Sequence, residues 1–476
     1  MPDLFQVIDP TDVPALQAAV DQGDPEGRLV RIGMSRIDIG ADALDGLPDA
    51  VAQLGRPGPV AVLGDRTPML RGAEDLKLLV ASMLGSRFDV LSHPIGVAGH
   101  DLHADDETIG EAQNAVGGAG CIVVVGSGTI SDVAKVVSQR LGDVPLIVVQ
   151  TAASVNGFAD NMSVLLQSGV KRTRPSRWPD GLIVDLRILA SAPPAMNAAG
   201  FGDLLGYWTA PVDWKLASIL GMDSTYHPAP VDLLRGHAER VLANASSVAR
   251  GQPAGLTDLA HALTLSGLSM GIAGTTAPAS GTEHLISHLI DMRSAHEGER
   301  VRLHGAQVGV ATIIAAILWD RFLSSFEPDS IDVERAFPGE ATVEADVLGA
   351  FADFDSSGAV GQECWRDCAK KLARWKASRL RLEALLRDWS SIRTQLAGAA
   401  KTPRELAGAL HEAGAAACFA DLDPGVSLET VRWAVERLPF MRERFTIADL
   451  FYYSRGWNTA LIDQVMLRCS ELGAVR

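Results

Sequence analysis

The chain has 476 residues, of which 47% are hydrophobic and 21% charged, a composition that suits a folded enzyme and argues against large-scale disorder. Its formal net charge of −16 argues against nucleic acid as a partner, because a phosphate backbone needs clustered Lys and Arg. The length exceeds one ordinary core, so two domains are expected, residues 1–190 and 191–476.

Five cysteines (Cys121, Cys364, Cys368, Cys418, Cys469) form neither a C-x-x-C pair nor a dense framework, as expected in a reducing compartment. The N-terminus lacks the basic and apolar regions of a signal peptide. The longest apolar run, Val308 to Trp319, is too short to span a bilayer and reads as a buried helix, so a cytoplasmic protein with no membrane span is expected. The densest basic run, Lys370 to Arg381, is interspersed with apolar residues and reads as the solvated face of an amphipathic helix.

From Pro59 to Leu189, apolar strand-like runs alternate with helical stretches. Residues 59–63 (PVAVL), 121–125, 146–149 (LIVV) and 182–184 predict strands. Leu70 to Leu84, Glu107 to Val116 and Ile130 to Leu141 predict the helices between them, a βαβ pattern and so an α/β sheet. The segment CIVVVGSGTISD, residues 121–132, sets Gly126 and Gly128 at a turn between a buried strand and a helix. Such a turn lets backbone N–H groups and the positive helix end approach a pyrophosphate. Glycines also occur at strand ends for purely structural reasons. The dinucleotide fingerprint Gly-x-Gly-x-x-Gly is incomplete, with Ser131 where its third glycine would stand. After Pro194, alanine- and leucine-rich stretches at helical period predict an all-helical second half. Phe326 to Ala341, with several acids and two prolines, reads as a surface connection.

Three stretches of the helical half hold donors for a divalent metal: AGFGDLLG with Asp203, GTEHLISH with His284 and His288, and LHGAQVGV with His304. A carboxylate with two imidazoles leaves an open position on Zn²⁺ or Fe²⁺ for a substrate hydroxyl. His284 and His288 are four apart and share a helix face. The order Glu283-His284 is not that of the H-E-x-x-H metalloproteases. A lone histidine is more often structural, and spacing alone does not bring Asp203 and His304 to this face.

The ordered series GSGTISDVAK, QTAASVNGFAD, GVKRTRPSRWPDGLIVDL, AGFGDLLG, SGTEHLISH and LHGAQVGVAT resembles the motifs of the sn-glycerol-1-phosphate dehydrogenases. These belong to the superfamily of iron-containing alcohol dehydrogenases, glycerol dehydrogenases and dehydroquinate synthases. The resemblance runs from about residue 30 to the C-terminal end, where MRERFTIADL is similar to the family's closing Arg-x-Arg-Tyr-Thr segment. It implies a dehydroquinate synthase-like fold: an α/β, Rossmann-like nucleotide-binding domain followed by an all-α metal-binding domain. It further implies hydride transfer between NAD(H) and the dihydroxyacetone phosphate/glycerol 1-phosphate pair. Asp203, His284 and His304 would ligate Zn²⁺, with Fe²⁺ or Ni²⁺ as alternatives, and His288 would bind substrate or relay a proton. Gly126, Ser127, Gly128 and Asp132 would line the pyrophosphate. Asp65, after the PVAVL strand, would contact the adenosine ribose and repel a 2′-phosphate, favouring NAD over NADP. Thr151 and Ser154 would lie near the nicotinamide, and Lys171 near a cofactor or substrate phosphate. The family also implies a homo-oligomer.

Two departures leave the substrate open. Asn156 stands where the family has an acid contacting the reacting hydroxyls, and it cannot accept a proton as a carboxylate does. Ala277 replaces an arginine found in many relatives; if that arginine grips a substrate phosphate, another cation such as Arg172 or Arg174 must replace it, or the substrate lacks the phosphate. A reductase of another polyol or hydroxy-ketone, and a non-catalytic relative, are the alternatives.

Overall fold

The computed structural model describes residues 8–100, 102–167 and 170–476. They form two compact units. One comprises the chain up to Leu204 with Pro228–Thr276 and Glu412–Ala415; the other comprises Leu205–His227, Ala277–His411 and Ala416–Arg476.

The first unit is built on a six-stranded parallel sheet. Its strands are β1 (Arg36–Gly40), β2 (Val60–Asp65), β3 (Val90–Ile95), β4 (Cys121–Gly126), β5 (Leu146–Gln150) and, beyond the antiparallel hairpin β6 (Met162–Gln167) and β7 (Val170–Pro175), β8 (Gly181–Asp185). The order across the sheet is β1-β8-β5-β4-β2-β3. The inner strands β4, β5 and β8 are buried along their whole length, which is why they read as unbroken apolar runs. One sheet face (Val60, Val62, Val123, Val125, Ile147, Val149, Ile183) packs on Leu44, Leu47, Val51, Leu76, Val80 and Leu84. Each fully buried Val or Leu there contributes about 1.5–3 kcal/mol.

The four predicted strands are present, and the structure adds β1 and β3, the two edges. In β3 the residues Ser92, His93 and Pro94 are exposed, and Pro94 offers no N–H to a further strand. Helix α1 (Leu76–Gly85) follows β2 and begins six residues later than Leu70. Leu70–Arg71 instead pairs with Glu74–Asp75, and the Asp75 carboxylate caps α1 by accepting the Leu78 N–H at 3.0 Å. Helices α2 (Asp106–Ala115) and α3 (Gly128–Arg140) match their expected positions within two residues. The unit also holds α4 (Pro194–Leu205), whose last residue, Leu205, is the first residue of the second unit.

Among the described residues no strand follows Asp185. In the second unit, α5 (Ala210–Ile219) is followed by α8 (Thr282–Glu297) and α9 (His304–Ser325), while α6 (Pro228–Ala243) and α7 (Pro253–Ala273) return to the first unit. Helix α9 has the length and apolarity to cross a membrane, but 72% of its apolar window is buried within the protein, as in a core helix. The basic run of α10 (Ala359–Ala377) and the turn after it is matched by acids: Lys370 with Asp367 and Glu443, Lys376 with Glu340, Arg379 with Glu334 and Glu383. Lys371 is buried on Asp449 at 2.5 Å.

Candidate functional site

β2 and β4 are neighbours whose connections leave in opposite directions, β2 through α1 to β3 and β4 through α3 to β5. Their carboxyl ends therefore flank the switch point at which open α/β sheets receive ligands. β2 ends at Asp65, whose Oδ1 accepts the Thr67 N–H at 2.9 Å. Lys77 Nζ donates to the carbonyls of Asp65 and Thr67 and fixes the turn. β4 ends at Gly126, where a Cβ would fall 2.0 Å from Ile130 Cγ2. Close strand-to-helix packing, the role of the third fingerprint glycine, thus falls to Gly126. Ser131 folds its hydroxyl back to the Ser127 carbonyl at 3.0 Å. Ser127 is the N-cap of α3 and does not use its hydroxyl to cap, so the helix opens with amide donors and a positive dipole end at the switch point.

Asp132 lies elsewhere. Its carboxylate is 3.0 Å from Lys135 Nζ and accepts the Val164 N–H at 3.1 Å, facing the β6–β7 hairpin. Burial pushes its pKa up to about 6, with Lys135 lowering it and Asp160 raising it. The turn is therefore built without the Asp132 side chain. The side chain of Lys171 lies outside the described residues.

The loop after β5 carries Thr151, Ser154 and Asn156, all buried. Thr151 N–H donates to the Gly126 carbonyl at 3.2 Å, joining this loop to the pyrophosphate turn. Asn197 Oδ1 accepts the Ala153 N–H at 3.0 Å, and Gly200 lets α4 approach so closely that a Cβ would lie 1.8 Å from the Ala153 carbonyl oxygen. Lys135 holds the far side of the loop through the Gly157 carbonyl at 3.0 Å and Asp160 at 2.7 Å, and also donates to the Met162 carbonyl. Held in this way, the Asn156 N–H donates to Asp203 Oδ2 at 3.1 Å, while the Asn156 amide donates to Ser266 Oγ at 3.1 Å. Sequence reasoning missed Lys135, Asp160, Asn197 and Ser266. The available signal was a lysine set between the apolar pairs Val133–Ala134 and Val136–Val137.

In the second unit, α8 brings in His284 and His288 and α9 begins at His304. The ring centroids lie 5.2 Å apart for His284 and His304, 6.5 Å for His284 and His288, and 6.1 Å for His288 and His304. Asp213 seats the start of α8 by accepting the Thr282 N–H and hydroxyl, both at 2.8 Å, and it also accepts the Ile447 N–H from α11 (Ile447–Tyr453). Burial and the neighbouring Glu283 push the pKa of Asp213 up to about 7.

Glu283 Oε1 contacts His284 Nδ1 at 2.9 Å and accepts the Gly281 N–H at 2.5 Å, and its Oε2 accepts the Thr209 hydroxyl at 2.6 Å. Burial raises the pKa of Glu283, but the hydrogen bonds from His284, Thr209 and Gly281 outweigh that and hold it below the usual range. With a carboxylate as acceptor, His284 Nδ1 is the donor of this contact, which turns Nε2 away from Glu283. This is the arrangement that orients a metal-ligating histidine, so the donor set fits a metal. His304 Nδ1 lies 3.5 Å from Ser287 Oγ. Asp203 is buried in the last turn of α4, and the chain continues through the Gly206–Trp208 turn to Thr209, whose hydroxyl Glu283 holds.

Residues 39–193 match the family model described as iron-containing alcohol dehydrogenase. The chain is 34% identical over 293 residues to a glycerol-1-phosphate dehydrogenase [NAD(P)+] from Halalkalibacterium halodurans, covering 60% of this chain and 71% of that one. It is 33% identical over 287 residues to a Pyrococcus furiosus protein of the same description, covering 59% and 77%. Among solved structures, a probable glycerol dehydrogenase from Sinorhizobium meliloti has the same fold, with a TM-score of 0.57 and 17% identity over 92% of this chain and 97% of that one. The chain belongs to the glycerol-1-phosphate dehydrogenase family, within the iron-containing alcohol dehydrogenases.

Proposed function

We propose that the protein interconverts dihydroxyacetone phosphate and sn-glycerol 1-phosphate by hydride transfer, with NAD(H) as cofactor and a divalent metal held by Asp203, His284 and His304. As a member of its family it is a metal-dependent oxidoreductase using NAD(P). The observation that carries the metal assignment is the His284 ring held by the Glu283 carboxylate at 2.9 Å. In support, His284 and His304, both in the second unit, bring their ring centroids to 5.2 Å. Bound metal and nicotinamide supply Lewis-acid polarisation of the substrate carbon–oxygen bond and the hydride.

The protein's own residues bind and orient. Gly126, Ser127 and Gly128 present the amides that take the pyrophosphate, and Thr151 and Ser154 face the nicotinamide end. Asp65 pairs with the adenosine ribose and disfavours a 2′-phosphate, so NAD is preferred to NADP. His288, one turn along α8 from His284, binds the substrate or relays its proton. Asn156 acts through its backbone N–H on Asp203, and its side-chain amide donates to Ser266. The imidazole-rich donor set suits Zn²⁺, with Fe²⁺ and Ni²⁺ as further candidates.

NADH oxidation by metal-loaded protein with dihydroxyacetone phosphate, unphosphorylated dihydroxyacetone and several ketose phosphates tests the reading. Rapid turnover of the triose phosphate, yielding the sn-1 product, is expected. Turnover of another ketone alone would overturn the substrate assignment and point to Asn156 and Ala277 as marks of a changed pocket.

A further inference from the structure

We propose that Glu283 is a positioning residue of the metal centre: it fixes the His284 tautomer and ties the helix carrying His284 to the segment that leads from Asp203. The inference rests on the metal reading above and goes beyond it, because Glu283 would touch neither metal nor substrate.

Glu283 is fully buried, a place where a carboxylate costs several kcal/mol of desolvation unless its oxygens are satisfied. An apolar side chain would fill that volume at lower cost. Both oxygens are engaged, and by groups with different tasks. Oε1 takes the His284 Nδ1–H and the Gly281 N–H, and Oε2 takes the Thr209 hydroxyl. Holding the start of α8 does not by itself require Glu283, since Asp213 already binds Thr282 there through two hydrogen bonds. What Glu283 adds is an anionic acceptor at His284 Nδ1. That acceptor makes the ring more basic and leaves Nε2 as the only coordinating atom. The second oxygen reaches Thr209, at the end of the short Gly206–Trp208 turn that continues α4. One carboxylate thus sets the orientation of one proposed ligand and steadies the chain just beyond another.

The test measures zinc affinity by competition with a chromophoric chelator for wild type, Glu283→Gln, Thr209→Val and His284→Ala, beside the urea midpoint of each metal-free protein. Glu283→Gln keeps the shape and a carbonyl acceptor but removes the charge. It is expected to weaken zinc binding about 10–100-fold with the metal-free midpoint little changed, and Thr209→Val is expected to weaken it less. Wild-type affinity in Glu283→Gln, with zinc lost in His284→Ala, would overturn the positioning role and leave the metal reading standing. Zinc retained in His284→Ala would overturn both. Wild-type protein gives a check free of any folding defect: with isotopically labelled histidine ring nitrogens, metal-free His284 must appear as the Nδ1–H tautomer at the pH where its ring is neutral. The Nε2–H tautomer there would contradict the proposal.

Discussion

Lys135 Nζ and Asp160 Oδ1 form a fully buried ion pair at 2.7 Å, and the same ammonium holds the carbonyl of Gly157, next to the residue whose N–H reaches Asp203. Removing one partner of such a pair strands the other charge in a dry site. Lys135→Met is expected to lose about 3–5 kcal/mol in urea unfolding. Lys135→Met combined with Asp160→Leu should recover part of that loss. A single-variant cost below about 1 kcal/mol would show that the pair is not the anchor of this loop.

Gly200 admits the carbonyl of Ala153 where any side chain would collide with it at 1.8 Å. Because the obstacle is backbone, Gly200→Ala must displace the loop or the helix. The expected cost is about 1–3 kcal/mol, with reduced zinc retention at equal protein concentration. A thermal unfolding midpoint and zinc content equal to wild type would refute the close approach.

His237 is buried with both ring nitrogens engaged: Nε2 meets the Ile8 carbonyl at 3.0 Å, and Nδ1 accepts from Arg240 at 2.9 Å. That pattern suits a neutral ring. Burial lowers its pKa to about 4, with Arg240 and His261 adding to the shift and the Ile8 hydrogen bond and Asp258 opposing it. The unfolded chain, with an ordinary histidine near 6.5, takes up this proton first as pH falls. Stability is therefore lost from about pH 6.5 down to about 4. Urea midpoints across that range should fall more steeply for wild type than for His237→Phe, and parallel curves would contradict the neutral buried ring.

Asp65 closes β2 at the switch point with its Oδ1 on the Thr67 amide. If its carboxylate excludes a 2′-phosphate, Asp65→Ser should raise kcat/KM for NADPH relative to NADH at least about tenfold, a shift of ~1.4 kcal/mol. An unchanged cofactor ratio would place the discrimination elsewhere.

The inner strands were legible in the sequence because burial on both faces leaves a continuous apolar signature in β4, β5 and β8. The edges were not: RIDIG alternates polar and apolar residues, and VLSHPI carries a histidine and a proline because one side of β3 faces solvent. The four-residue spacing of His284 and His288 was readable as one helix face, whereas the 5.2 Å approach of His284 to His304 depends on how α8 and α9 fold back on each other. Lys135 escaped because a lysine three residues after Asp132 looks like an exposed i,i+3 pair, and only the packed loop shows that it is buried. Glu283 was seen as a neighbour of the histidine, but its second partner, Thr209, lies 74 residues away in sequence.

The most direct test of the account is bound zinc per chain, measured together with NADH oxidation by dihydroxyacetone phosphate, for wild type and for Asp203→Ala, His284→Ala and His304→Ala. Wild type should hold one ion per chain and turn over, and each variant should lose the ion and the activity in parallel while keeping its far-ultraviolet circular dichroism. A folded variant that is free of metal yet fully active would contradict the assignment.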